Sequence, residues 1–423
     1  MEEQLTTHAE ARAKAVPARF KLHTFSSLRH PDYRYLWTGT MLMGAGQWIQ
    51  QVTLGWLLYE LTSSSVLLGA LNGLRALPFL VAGPIAGVAA DRMDRQRLML
   101  GSQYLLVATA LGMGMVVASG LVKVWHIFLF TLITGIAWSF NEPVRQSLVP
   151  NVVPKEDLMN AIALNSAGFN LTKIIGPALG GVLIALFGAA GNFFVQSAAY
   201  MGVLAMVYLM HVPPTPEEAR RSSAMANLKE GFSYVWSTPA VLALMMTAYV
   251  PRVFAVPYQT LMPVFQKDVL GVGPEGLGML MAAPGVGAVL AVLTLASVAS
   301  RLKHQGLLLL ASLILLGSFL ILFSRISSFP LALLALVAVG AFQVLFMATT
   351  NTMLQVIVPD ELRGRVMSLY MLDRGLMPAG ALLAGVTAHF VGAPATVSMM
   401  GAIVIVLALV VAWRVPLIRK LES

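Results

Sequence analysis

Asp91-Arg92-Met93-Asp94-Arg95-Gln96-Arg97 packs five charged residues into seven positions. It lies between two hydrophobic runs, 65–90 and 98–119, each long enough to cross a bilayer. On a soluble surface such a run is only a solvated face. In a short loop between two spans it fixes the side of the membrane on which the loop lies, and it suggests a part that moves.

The rest of the composition agrees with lipid as the solvent. Hydrophobic residues make up 57% of the 423 residues and charged residues only 11%. The mean hydropathy is +0.77. In lipid the backbone must satisfy its own hydrogen bonds, so each helical span needs roughly 20 apolar residues. At roughly 35 residues for a span and its loop, the length fits about twelve spans. The chain has no cysteine, which excludes a disulfide scaffold, a thiolate metal site and a cysteine nucleophile. Its seven histidines are scattered without ligand spacing, so neither a metal nor another cofactor is expected. The +9 net charge sits in short loops rather than along one face, so nucleic acid is not an expected partner. No apolar core with a small-residue cleavage site occupies the polar first thirty-odd residues.

Hydrophobic runs and their breakers predict an all-α membrane protein with spans at 35–59, 65–90, 98–119, 124–147, 159–187, 190–211, 238–265, 275–299, 305–323, 330–356, 367–391 and 394–413. With the N-terminus inside, the inner segments hold Arg29, Arg34, Arg92, Arg95, Arg97, Arg145, Lys155, Arg220, Arg221, Arg301, Arg363 and Arg365 among others. The outer loops hold only Lys123, Lys267 and Arg325. The excess of positive charge inside predicts two cytoplasmic termini, the tails 1–34 and 414–423.

The polar stretch 212–237, with Pro213, Pro214 and Pro216 and an amphipathic helix expected over 228–236, divides the spans six and six. The predicted domains are therefore two six-helix bundles, 35–211 and 238–413, joined by a cytoplasmic linker. The halves resemble each other. Val153-Pro154-Lys155-Glu156 follows span four, Val358-Pro359-Asp360-Glu361 follows span ten, and Ser300-Arg301 stands where the first half has Asp91-Arg92. Two like halves with a binding site at their interface are what a rocking transporter needs.

The motifs resemble the major facilitator superfamily. Gly87, Asp91, Arg92, Arg95 and Arg97 are similar to its loop signature between spans two and three, with Asp94 where glycine is usual. Gly176-Pro177-Ala178-Leu179-Gly180-Gly181 resembles the GPxxGG motif of the antiporter branch. Within the superfamily the chain is most similar to the enterobactin-exporter-like and macrolide-efflux-like permeases, the transmembrane secretion effectors. That resemblance rests on Tyr33-Arg34-Tyr35-Leu36-Trp37, on 55–62, on Pro143-Val144-Arg145-Gln146, on 160–166 and on Arg363-Gly364-Arg365-Val366, and so spans about 25–390. Two departures bear on coupling: Gln47 stands where many related chains place an acid, and Thr131 where proton-linked exporters carry an arginine.

The resemblance implies a cytoplasmic latch. Asp91 would cap the start of span eleven near Arg365, and Arg95 would pair with Glu142; Glu142 has Arg145 as a second partner within reach. Charged residues inside spans are costly and mark pathways or partners by default. Here they are Arg75, Glu142, Lys173, Arg252, Asp373 and Arg374, while spans three, six, nine and twelve carry none. Asp373 is the candidate proton site: burial disfavours its charged form, against which adjacent Arg374 acts. Arg75, Lys173 and Arg252 suit either an anion-favouring cavity or structural pairing, and Gln47, Gln51 and Asn72 offer hydrogen bonds to cargo or between helices. The small residues Gly176, Gly180 and Gly181 with Pro177 suit a seal, a hinge or plain close packing.

The expected function is a secondary active exporter of a small amphipathic molecule, driven by protons and working as a monomer in the bacterial inner membrane. An uptake permease is the alternative. A polytopic enzyme or a lipid scramblase is a weaker one, since the polar groups are dispersed over many spans.

Overall fold

The computed structural model describes residues 25–211, 224–298, 304–371 and 375–415. Every regular element among them is helical. The first four long helices are α1 (Pro31–Thr62), α2 (Ser65–Arg92), α3 (Arg95–Ala118) and α4 (Val124–Leu148). Their ends follow local chemistry. Pro31 opens α1, where its missing donor costs nothing. Ser64 caps α2 by accepting from the Leu67 amide at 3.3 Å. Asp94, where the superfamily signature has glycine, caps α3 by accepting from the Arg97 amide at 2.8 Å. The residue that departs from the motif therefore starts the next helix.

The stretch α5 (Leu158–Leu209) runs 52 residues but is not one rod. Gly188 adopts φ 67 and ψ 179, which breaks the helix. Asn192 then donates back to the Gly180 carbonyl at 2.9 Å, so the chain reverses there. Expected spans five and six are the two arms of this hairpin.

In the second half come α6 (Ala224–Ser237), α7 (Pro239–Phe254), α8 (Pro274–Val298), α9 (Gln305–Arg325), α10 (Phe329–Ile357), α11 (Asp360–Met371), α12 (Met377–Val391) and α13 (Ala393–Arg414). The expected seventh span, 238–265, corresponds to the apolar stretch Pro239–Val269, but it is not one regular helix. The helix ends at Phe254, and the chain passes through a 3-10 turn, Val256–Leu261, and a π-helical turn, Phe265–Val269. Pro251, Pro257 and Pro263 each remove a backbone donor within fourteen residues, which accounts for the break. At the expected eleventh span, 367–391, helix runs over Asp360–Met371 and again over Met377–Val391, and residues 372–374, with Asp373 and Arg374, lie outside the described residues. The side chains of Gly87, Asp91 and Arg92 also lie outside them, although the backbone of all three belongs to α2. So do the tail residues 1–24 and 416–423 and the first part of the linker, 212–223.

Among the described residues nine helical stretches are long and apolar enough to cross a membrane. One of them contains the α5 hairpin, which has length for two passes. α1 is not among the nine, although it has 32 residues. Polar Gln47, Gln50, Gln51 and Thr53 dilute its hydropathy, and it packs chiefly against the α5 hairpin.

The helices of 31–209 pack on one another, and so do those of 239–414. Buried polar groups tie the first set together. Gln196 donates to Gln50 at 2.7 Å, Gln50 to Thr134 at 3.3 Å and Asn192 to Thr53 at 2.7 Å. The apolar interior divides unequally. One cluster, from Tyr33 through Met43, Met99 and Val144 to Val207, lies wholly in the first half. The other begins with Val52, Leu58, Leu71 and Phe193 and continues without interruption into Leu261, Phe265, Leu316 and Val404. The two halves thus share a core at one end of the bundle.

Candidate functional site

At that shared end, side chains from the last turn of α1 reach the π-helical turn after α7. Tyr59 donates to the Asp268 carboxylate. Lys267 Nζ lies 3.1 Å from Glu60 Oε2 and 5.9 Å from the centre of the Tyr59 ring. These four residues were not singled out by sequence. The signal was present in a pair of acid-bearing helix ends, Tyr59-Glu60 and Lys267-Asp268, at matching places in the two halves.

Two helix crossings flank this quartet. On one side α2 meets α12: a Cβ on Gly385 would stand 2.5 Å from the Ser65 carbonyl oxygen, whose own side chain donates to the Gly385 carbonyl at 2.9 Å. On the other, α5 meets α8: a Cβ on Gly181 would stand 2.5 Å from the Pro274 carbonyl oxygen and 2.9 Å from Gly278 Cα. Any side chain at either position would push backbone apart. The motif Gly176-Pro177-Ala178-Leu179-Gly180-Gly181 thus works on two faces. Gly176 and Gly180 lie against Trp48 and Ile49 of α1, while Pro177 and Gly181 lie against Gly278 of α8.

Beneath this closure is a narrow, partly open cavity. Gln51 and Gly55 of α1, Asn72 and Arg75 of α2, and Gln259, Thr260 and Pro263 of the broken segment line it. Three residues singled out by sequence, Gln51, Asn72 and Arg75, therefore meet at one place. Gln47, one turn away from Gln51 on α1, is not part of the lining. Gln259 and Thr260 join the site only because the proline-rich break turns them toward it, so hydropathy alone carried no signal for them. Asn72 donates to the Leu68 carbonyl at 3.0 Å, which leaves its own carbonyl oxygen to the cavity.

Other expected site residues lie elsewhere. Lys173 donates to Asn170 at 3.1 Å and lies over the Phe169 ring at 5.1 Å, contacts within its own helix. Arg252 is half-buried in the last turn of α7 and Arg365 lies in α11, beside Gly231 of α6. Neither belongs to the cavity lining.

The expected pairing of Glu142 with Arg145 or Arg95 is not present. Arg145 is buried and turns toward α1. It donates to Thr40 Oγ1 at 3.0 Å, to the Leu36 carbonyl at 3.4 Å, to the Met43 sulfur at 2.8 Å and to Asn141 at 3.3 Å. Glu142 instead accepts from Gln146 at 3.1 Å, one turn on. The reason is geometric: the guanidinium points into the bundle, where α1 offers several neutral acceptors, and Glu142 points out of it. Arg95 Nε is buried without a partner among the described residues. Thus α3 and α4 pack together, with Asn141 donating to Ser102 at 2.8 Å, but no ion pair between Arg95 and Glu142 joins their charged ends.

Comparison with known proteins fits this architecture. The family model described as transmembrane secretion effector matches residues 22–423. The staphyloferrin A transporter of Staphylococcus aureus is 27% identical over 377 residues, covering 87% of this chain and 92% of that protein. The multidrug efflux pump Tap of Mycolicibacterium fortuitum is 27% identical over 390 residues, covering 90% and 94%. Among solved structures, a bacterial homolog of the human lysosomal transporter Spinster, in an inward-facing and unoccupied conformation, superposes with a TM-score of 0.72 at 15% identity over 92% of this chain and 98% of that one. That likeness is one of fold.

Proposed function

The chain belongs to the transmembrane secretion effector family of major facilitator transporters, and from that premise we propose that it is a secondary active exporter of a small amphipathic molecule, working by alternating access across the bacterial inner membrane. Two bundles, 35–211 and 238–413, with twelve spans between them, rock about the cavity at Arg75. The positive charge at the end of α2, the start of α3 and in α11 supports an orientation with the closed end outside and both termini in the cytoplasm. The conformation described is then open toward the cytoplasm.

The observation that carries this reading is that, among the described residues, the hydrogen bonds and close helix crossings between the two halves gather toward one end. Tyr59 and Glu60 meet Asp268 and Lys267 there, beside the Gly385 and Gly181 crossings, with a polar cavity directly below. Rocking must break these contacts and form others at the opposite end. Asp91, Arg95, Glu142 and Arg365 are suited to that second latch, and the separation of Arg95 from Glu142 is the state expected when it is released. Gly87, Arg92 and Arg145 belong to the same end, Arg145 as an anchor between α1 and α4. Efflux is preferred to uptake because the relative Tap is named an efflux pump. Coupling to inward proton flow is assigned to Asp373, which the sequence reading puts inside the expected span 367–391, with Arg374 beside it; Asp373→Asn should leave a folded protein whose transport no longer responds to a pH gradient.

The absence of native cysteine makes the test direct. In Asn72→Cys, a membrane-impermeant maleimide should label the cavity from the cytoplasmic face at rest and from the outer face during turnover. Labelling confined to one face throughout turnover would overturn alternating access. A reporter fused after Ser423 should register as cytoplasmic.

A further inference from the structure

Arg75 is a cation for which no hydrogen bond or ion pair is found among the described residues. Ten residues into α2, it stands roughly 15 Å along the helix axis from Ser65, well inside an apolar slab of about 30 Å. It is half-buried and lines the cavity. Among the described residues no carboxylate, carbonyl or hydroxyl lies within hydrogen-bonding distance of it. The other cations of this region are occupied: Lys267 by Glu60, Lys173 by Asn170, and Arg145 by its four acceptors. Among the described residues no Asp or Glu lines the cavity. The nearest carboxylates in the closure, Asp268 and Glu60, are engaged by Tyr59 and Lys267.

A desolvated guanidinium with no counter-charge is costly, and such groups persist where an anion arrives to meet them. Its fork of five N–H donors matches a carboxylate through two parallel bonds. The neighbours are neutral and polar. Gln51 and Gln259 each bring an amide, Asn72 a free carbonyl oxygen and Thr260 a hydroxyl, groups that suit hydroxyl or amide functions beside a charge. The walls between them, Leu54, Leu68, Leu71, Pro263 and Met281, suit an apolar body.

We propose that this cavity binds a small amphipathic carboxylate, with the carboxylate on Arg75 and its hydroxyl or amide groups on Gln51, Asn72, Gln259 and Thr260. The inference rests on the transport reading and gives its cargo a chemical class. Anionic lipid headgroups share the charge, so the source is part of the test.

The full chain is purified into nanodiscs of zwitterionic lipid, and its thermal unfolding is followed with three matched pairs: salicylate and salicylamide, glucuronate and glucuronamide, benzoate and benzamide. Each carboxylate is compared with sodium chloride at equal ionic strength. At least one carboxylate should stabilise the wild type at a concentration at least ten-fold below that needed by its amide. Arg75→Gln should abolish that preference and Arg75→Lys should retain part of it. Tm without ligand and elution volume identify any variant that fails to fold. Should Arg75→Gln fail, Gln259→Ala must weaken the carboxylate at least three-fold. The proposal is overturned if no carboxylate exceeds its amide, if sodium chloride reproduces the effect, or if the folded variants keep the preference. It is also overturned in favour of a lipid headgroup if phosphatidylglycerol in the nanodisc abolishes the effect through Arg75. The two-sided labelling of Asn72→Cys is independent of these results, so failure of the cargo assignment is separable from failure of alternating access.

Discussion

Lys267 Nζ sits 3.1 Å from Glu60 Oε2, and the two residues are 207 positions apart in sequence. Each side chain is 36% exposed, so the bond is a partly solvated one, with a strength of about 0.2–1 kcal/mol. That is small against folding but not against a balance between two conformations, where it shifts populations by up to about five-fold.

The first prediction concerns this pair. Glu60→Lys opposes two cations across the closure and should lower transport strongly, with labelling of the cavity from the outer face rising. Adding Lys267→Glu restores the attraction with its sign reversed and should recover much of the activity. If the double variant is no better than Glu60→Lys alone, the pair does not hold the two halves together.

The second prediction concerns the crossings. The carbonyl of Pro274 leaves no space for a methyl group on Gly181, and that of Ser65 leaves none on Gly385. Gly181→Ala and Gly385→Ala should each prevent full closure at this end while leaving both bundles folded. The expected result is expression and detergent stability near those of the wild type, with transport reduced ten-fold or more. Gly101→Ala, at a glycine with open space around it, is the control and should be silent.

Much of this architecture is legible in the chain. Apolar runs bounded by charge mark where lipid ends, and the gap at Gly188 separates spans five and six, whereas the apolar run of the seventh span passes over Pro251, Pro257 and Pro263 and reads without its break. Gln51, Asn72 and Arg75 stand out because polar groups inside spans are few. The closure was not legible in the same way. Tyr59 and Asp268 are 209 residues apart, and each reads as an ordinary loop-flanking residue until the halves dock. Arg145 misleads for the opposite reason. Its helical spacing from Glu142 suggests a local pair, whereas the bundle offers it Thr40 and the Leu36 carbonyl from a helix more than a hundred positions away. Local spacing states what is within reach; packing decides what is taken.

The third prediction follows from Arg145. Its four acceptors are neutral, so no counter-charge is stranded when it is removed, but a fork that joins α1 to α4 is lost. Arg145→Lys keeps the charge and cannot serve Thr40, Leu36 and Asn141 together. It should cost about 1.5–3 kcal/mol, the range for hydrogen bonds to a charged group. Thermal unfolding in detergent should show Arg145→Lys well below the wild type, and Thr40→Val, which removes one acceptor, between the two.

The last prediction is a pH dependence outside the membrane. Asp157, just ahead of α5, accepts from Ser26 Oγ at 2.6 Å and bonds the His30 ring at 2.8 Å. These hydrogen bonds hold its carboxyl below the usual carboxylate range, Ser26 contributing most and His30 next. A depressed carboxylate contributes stability that is present above its unfolded value, about 3.9, and is lost as pH falls below that through the folded value. The turn Ser26–Arg29 should therefore stay docked on α5 from neutral pH down to about pH 4 and loosen only below it. Hydrogen exchange of the Leu28 and His30 amides, which close that turn on Phe25 and Ser27, should report the release. Asp157→Asn should raise exchange there at pH 7 and flatten its response to acid. Ser27 also bonds Asn160, at 2.7 Å through its hydroxyl, so Asp157→Asn should loosen the turn without freeing it, and only the pair with Asn160→Ala should remove protection altogether. Unchanged exchange in Asp157→Asn would show that the carboxylate does not hold this turn.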